Sequence, residues 1–128
     1  MLLTIPASAG EVLDKLTILD IKLARIADAT KRANVAAERA QLGAAWDAAL
    51  PDPRGVADLA SELRAVNEAL WEVEDALREA ERAGDFGPAF VALARSVYRT
   101  NDRRAAIKKR VNERLGSVLV EEKSYAPY

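Results

Sequence analysis

Residues 52–84 read DPRGVADLASELRAVNEALWEVEDALREAERAG, the longest periodic segment of the chain. Its apolar positions are Val56, Leu59, Leu63, Val66, Leu70, Val73, Leu77 and Ala80, alternating three and four apart throughout. That spacing keeps every one of them on a single face of an α-helix and is incompatible with the two-residue period of a strand. Asp52 is a good N-cap, Pro53 suits the first helical position, and Gly84 is a natural C-terminal stop. The spacing and its end signals predict a helix over 54–83, about 45 Å long at 1.5 Å per residue.

Beyond Gly84, Asp85 and Pro88 open a second long helix, predicted over 88–115 and stopped by Gly116. Its stripe is Leu93, Val97, Thr100, Arg104, Ile107 and Val111, so two of its seam positions are polar. Toward the N-terminus, Ser8 and Glu11 form an S-x-x-E capping box. Val12, Leu16, Leu19, Leu23 and Ile26 then mark a helix over 9–27, and Leu13, Ile18 and Ile21 widen its apolar face enough for more than one neighbour. Between these, Val35, Leu42 and Trp46 mark a helix over 31–49 that Asp28 or Thr30 can cap and Pro51 and Pro53 end. No Gly or Pro separates the first two helices, so one bent helix is the alternative to a hairpin; Asp28-Ala29-Thr30 favours the hairpin. Short connections make successive helices antiparallel neighbours. The expected fold is all-α: a single domain over 1–128, an antiparallel four-helix bundle of two hairpins, the second hairpin long, with an irregular tail at 117–128.

Composition removes whole classes of chemistry. The 128 residues include no cysteine and no histidine. Disulfides, thiolate nucleophiles, imidazole general bases and Cys- or His-ligated metals are therefore excluded, and any metal would be a hard cation such as Mg²⁺ held by carboxylates. No cofactor is expected. No run of 18 apolar residues occurs, and Met1-Leu2-Leu3-Thr4-Ile5-Pro6 lacks a basic leader, so the expectation is a cytoplasmic protein without a membrane span. The formal net charge of −1 argues against nucleic acid as a partner, although Arg103, Arg104, Lys108, Lys109, Arg110 and Arg114 form a basic run. That run lies in the second half of its helix, where cations suit the negative end of the helix dipole.

One place can hold a polar site. Helix three carries a second face, Asn67, Trp71, Glu74 and Arg78, with Asp75 at its edge. Helix four offers Tyr98, Asn101 and Arg104 at matching depth, with Asp102, Arg103 and Lys108 nearby, and helix one adds Lys15 and Lys22. Converging beside Trp71, these groups suit a small anionic, nucleotide or sugar ligand. A guanidinium in an apolar stripe also needs a counter-charge, since an unpaired buried charge costs several kcal/mol. Glu74 is the expected partner of Arg104. The opposing reading is plain: charged residues beside a heptad stripe form interhelical salt bridges, and a polar seam residue fixes register. Glu72-Val-Glu-Asp75 matches one half of the acidic signature of all-α nucleotide pyrophosphatases, but no E-x-x-E precedes it at hairpin distance. Chorismate-mutase-like bundles also work without histidine, yet their motifs do not align here.

The whole chain resembles a family of short bacterial all-helical proteins known only as a domain of unknown function. The blocks carrying the resemblance are EVLDKLTILDIK at 11–22, NEALWEVED at 67–75, SVYRTNDRRAAIK at 96–108 and VEEKSYAPY at 120–128. A second uncharacterised helical family is similar through Leu-Trp-x-x-Glu-Asp at 70–75 and an Asn-Asp-Arg block. This likeness implies an accessory role beside the glycosyltransferases of surface-polysaccharide synthesis. Two functions follow: a helical interaction protein, homodimeric or with a protein partner and without catalysis, and, as the alternative, a ligand-binding protein or Mg²⁺-dependent enzyme using the polar seam. The homodimer is expected because helices three and four exceed the first two by about 15 Å, leaving part of an unbroken apolar stripe without cover.

Overall fold

The computed structural model describes residues 1–128 and contains four α-helices and no strand. They are α1 (Ala9–Arg25), α2 (Ala29–Ala49), α3 (Ala57–Ala83) and α4 (Pro88–Leu115), with a 3₁₀ turn at Pro53–Val56 leading into α3. The end signals act largely as read. Ser8 accepts from the Glu11 N–H at 3.2 Å, Asp28 from the Lys31 N–H at 2.8 Å, and Asp52 from the Arg54 N–H at 3.1 Å. Gly84 and Gly116 close α3 and α4 in the left-handed region, at φ 67° and 62°, where a side chain would be strained.

Three boundaries differ from the sequence reading. The first helix ends two residues early, because Ile26 is already extended. The second begins at Ala29, since Asp28 rather than Thr30 supplies the cap. The third starts in 3₁₀ form, a common way to tighten a helix entrance. The capping box is also only half made. The Glu11 carboxylate pairs with Lys108 of α4, at 2.6 Å, because that interhelical charge pair outweighs a return bond to its own helix start.

Helix α1 is the hub. It packs against α2, α3 and α4, while α2 rests chiefly on α1. Ion pairs Arg114–Asp58 and Arg110–Glu62 run in opposite directions along α3 and α4, as an antiparallel hairpin requires. The core joins Leu13 and Leu16 of α1, Trp46 of α2, Val56, Leu59 and Leu63 before and along α3, and Ile107 and Val111 of α4. This core occupies one half of the molecule only. No residue from 68 to 99 is buried, although the α3 stripe continues through Leu70, Val73 and Leu77. Helix α1 ends at Arg25, which pairs with Glu72 at 2.6 Å, and about 16 Å of the α3–α4 hairpin projects beyond that level. No helix is long and apolar enough to cross a membrane.

Candidate functional site

The polar centre of the molecule is built on a residue the sequence reading did not select. Asp14 of α1 is wholly buried. Arg104 places its guanidinium against it, Nε donating to both carboxylate oxygens at 3.0 and 3.1 Å and Nη2 to Oδ2. Asn67 of α3 donates through Nδ2 to Asp14 Oδ1 at 2.8 Å and to Thr17 Oγ1 at 2.9 Å. The Thr17 hydroxyl in turn donates to the Asp14 carbonyl at 2.7 Å. Three helices thus meet on one carboxylate. The bond to Asp14 holds the Arg104 guanidinium, already a strong base, still more firmly in its charged form.

One turn toward the helix ends, a second layer closes the α1–α4 contact. Lys108 donates to Glu11 at 2.6 Å and to Glu121 of the tail at 3.3 Å, and lies 3.9 Å from Asp14. Asn112, also buried, accepts from the Gly10 N–H at 2.7 Å. A glycine is required at position 10: a Cβ there would run into the Lys108 carbonyl oxygen and meet Asn112 Oδ1 at 3.0 Å. Every buried side-chain nitrogen and oxygen has a partner.

Of the ten candidate site residues, only Asn67 and Arg104 enter this network. The expected partner Glu74 is wrong: it is exposed and pairs with Arg78 four residues on. The physical reason is register: the Arg110–Glu62 and Arg114–Asp58 pairs set Arg104 level with Glu68, about 9 Å along the axis from Glu74 at 1.5 Å per residue, while α1, packed against both α3 and α4, brings the Asp14 carboxylate to it. Lys15 is exposed beside Glu11, at 3.8 Å, and Lys22 is half-buried on the same helix. Trp71 is half-buried, with the Arg25 guanidinium 5.9 Å from its ring centre. Asp75 and Asn101 are exposed. Arg103 donates to Thr100 at 3.2 Å, and Tyr98 stacks edge-on against Tyr128 of the tail, centroids 5.0 Å apart. No three acidic side chains are gathered as a cation would need. A signal for Asp14 was nevertheless present. Gly10, Asp14, Thr17 and Ile21 recur at four, three and four and form a second buried face of α1. A short acid on an otherwise apolar or small face marks a buried polar contact.

The tail folds back along α4. Besides Glu121 on Lys108, the Tyr128 hydroxyl donates to Asp102 at 2.6 Å, and a cleft of about 170 Å³ opens beneath, lined by Lys108, Lys109, Asn112 and residues 121–123. The hydrogen bond from Lys123, then the charge of and bond from Lys108, hold Glu121 below the usual carboxylate range. Its folded value is depressed, so the part that comes from Lys108, which ties the tail to α4, is fully present above the ordinary Glu range and is lost as pH falls through the lowered value. Amide NMR spectra of residues 117–128 are expected to move toward random-coil positions in that acid window, and at neutral pH in Glu121→Gln. Unchanged spectra in the variant would show that Glu121 does not hold the tail.

No curated protein and no solved structure matches this chain. A family model does, and it covers residues 3–128. Its span takes in all four helices, the Asp14 network and the tail, and the chain belongs to this family of unknown function, DUF6165.

Proposed function

We propose that the protein is a helical interaction protein without catalysis, and that it works as a homodimer. The observation that carries this reading is the projecting half of the α3–α4 hairpin. On one side it bears an open groove of about 420 Å³, lined by Leu77, Phe90, Ala94 and Val97 with Glu74, Arg78 and Glu81. Phe86 and Val91 are exposed in the same half. The apolar side chains left without cover along this half are what a second chain would bury. The polar centre supports the same reading from the other side. Asp14 spends its oxygens on Arg104 and Asn67, so the network that looks most like a site is occupied by its own members. A cytoplasmic setting, expected from the sequence, and an accessory role in bacterial surface-polysaccharide synthesis, which rests on the resemblance above, belong to this reading.

Sedimentation equilibrium tests it. A species of twice the chain mass is expected at tens of micromolar. A chain that stays monomeric at high micromolar concentration would remove the proposal. The alternative, an anionic, nucleotide or sugar ligand in the polar seam between α1, α3 and α4, predicts instead that nucleotides or nucleotide sugars, with Mg²⁺, raise the melting temperature, since a ligand that binds only the native state stabilises it.

A further inference from the structure

The cleft beneath the tail has two unlike walls. One is α4, with Lys108, Lys109 and Asn112; the other is the tail, with Glu121, Glu122 and Lys123. Two short alanine side chains of α4 leave its floor open. No residue of α1 or α3 lines it, so it is separate from the Asp14 junction. Most of the charge around it is already spent. Lys108 holds Glu11 and Glu121, and Glu121 also holds Lys123. Two donors on the α4 wall are not spent. Asn112 is only 3 % exposed and uses Oδ1 alone, on the Gly10 N–H. Its Nδ2 has no acceptor in the protein. Because every fully buried side-chain nitrogen has a partner, Nδ2 must open onto the cleft that Asn112 lines. The bond to Gly10 fixes which end of the amide points there. Lys109, three residues earlier on the same helical face, is exposed and, unlike Lys108 and Lys123, forms no ion pair. An amide donor held this rigidly, beside an unpaired ammonium, is a preformed place for a negatively charged oxygen.

We propose that this wall of α4 binds a small oxyanion, a carboxylate or a phosphate, and that the acidic tail is a strap which the ligand displaces. A ligand oxygen accepts from Asn112 Nδ2 and from the Lys109 ammonium. The donors set the class, since an ammonium offers no acceptor and the one acceptor of the Asn112 side chain is taken by Gly10. The tail points the same way, because the group it lays on the neighbouring lysine is itself a carboxylate. The two occupants oppose each other on charge. Glu122 lines the cleft without a cation of its own, and an incoming anion sits beside it and Glu121 in a confined space. Ligand binding and tail docking are therefore coupled with opposite sign, and by linkage each weakens the other by the same factor. Release of the tail uncovers Tyr98 and Asp102, the α4 groups that Tyr128 occupies in the docked state. The site is independent of the homodimer reading.

Titration of the full chain at neutral pH with sodium phosphate and with sodium acetate tests this. The readouts are the NMR signals of the Asn112 side-chain amide and of the backbone amides of 117–128. Sodium chloride at equal ionic strength is the control, since screening alone weakens exposed ion pairs. At least one of the two anions is expected to shift the Asn112 signal to saturation, with a dissociation constant on the order of 1–10 mM. Over the same concentrations it should move 117–128 toward random-coil positions. The tighter anion identifies the ligand class. Lys109→Gln, at an exposed position, should keep the fold and weaken binding about 10-fold, the scale of one charge-assisted hydrogen bond. Glu122→Gln leaves the ion pairs of the tail intact and removes a like charge from the cleft, so it should tighten binding several-fold. The proposal is overturned if neither anion acts beyond chloride, or if Lys109→Gln responds like the parent. Looser binding in Glu122→Gln would overturn it too, because a carboxylate cannot help to hold an anion. A saturating shift at Asn112 with the tail still docked would show that the tail is no strap.

Discussion

Arg104→Met is expected to lower stability by about 3–5 kcal/mol, the usual consequence of removing one member of a buried ion pair. The asymmetry of the pair decides which member matters more. The Asp14 side chain is 1 % exposed and cannot turn to water, whereas that of Arg104 is 28 % exposed and can. Without Arg104, the Asp14 carboxylate is left with Asn67 and a lysine ammonium 3.9 Å away. Without Asp14, the guanidinium can reach solvent on its long stem. Asp14→Asn alone should therefore cost less than Arg104→Met, about 1–3 kcal/mol, the scale of a lost charge-assisted hydrogen bond. The double variant Asp14→Asn/Arg104→Met should recover at least half of the single loss, because Asn at position 14 still accepts from Asn67 and no net charge is buried. Urea unfolding with an unchanged m-value measures all three. A double variant as unstable as Arg104→Met would show that packing of the guanidinium, and not its charge, holds the three helices together.

Gly10→Ala is the second substitution with a large expected effect, about 3 kcal/mol, at the upper end of overpacking costs. The added methyl meets the Lys108 carbonyl, which is α4 backbone and cannot rotate away. The helices must separate, and the contacts stretched by that movement are the Gly10–Asn112 bond, the Glu11–Lys108 pair and the Asp14–Arg104 pair. Gly43→Ala makes the right comparison. Its Cβ meets only the far end of Arg39, a flexible side chain, at 2.6 Å. Alanine in a helix interior is worth roughly 1 kcal/mol over glycine, so Gly43→Ala should be neutral or stabilising. Thermal unfolding of both variants reads the contrast directly. Equal and small effects at the two positions would mean that α1 and α4 are free to move apart at this point, against the close approach at Gly10.

Helix α4 was legible to the residue, at 88–115, because its signals are local: proline at the first position, a seven-residue stripe, glycine at the left-handed stop. The Asp52 cap was read in the same way and Asp28 was one of two caps open for α2, since in each a side chain answers a backbone group two or three residues away. The need of Arg104 for a carboxylate was also legible, since a charge in an apolar stripe carries its own requirement. Which carboxylate answers it was not. Glu74 and Asp14 are both acids on helices beside α4, and the choice between them depends on the register of α3 against α4 and on how α1 lies against both. That placement is settled by long-range packing, by Leu13 and Leu16 joining Leu59, Leu63 and Val111 in one core, and by the absence of a Cβ at Gly10 that lets two backbones touch. The four helices of this protein follow from periodicity and end signals along the chain. The three-helix junction on Asp14 exists only in the tertiary structure, because a buried charge takes whichever partner the packing of the whole bundle brings within hydrogen-bond distance.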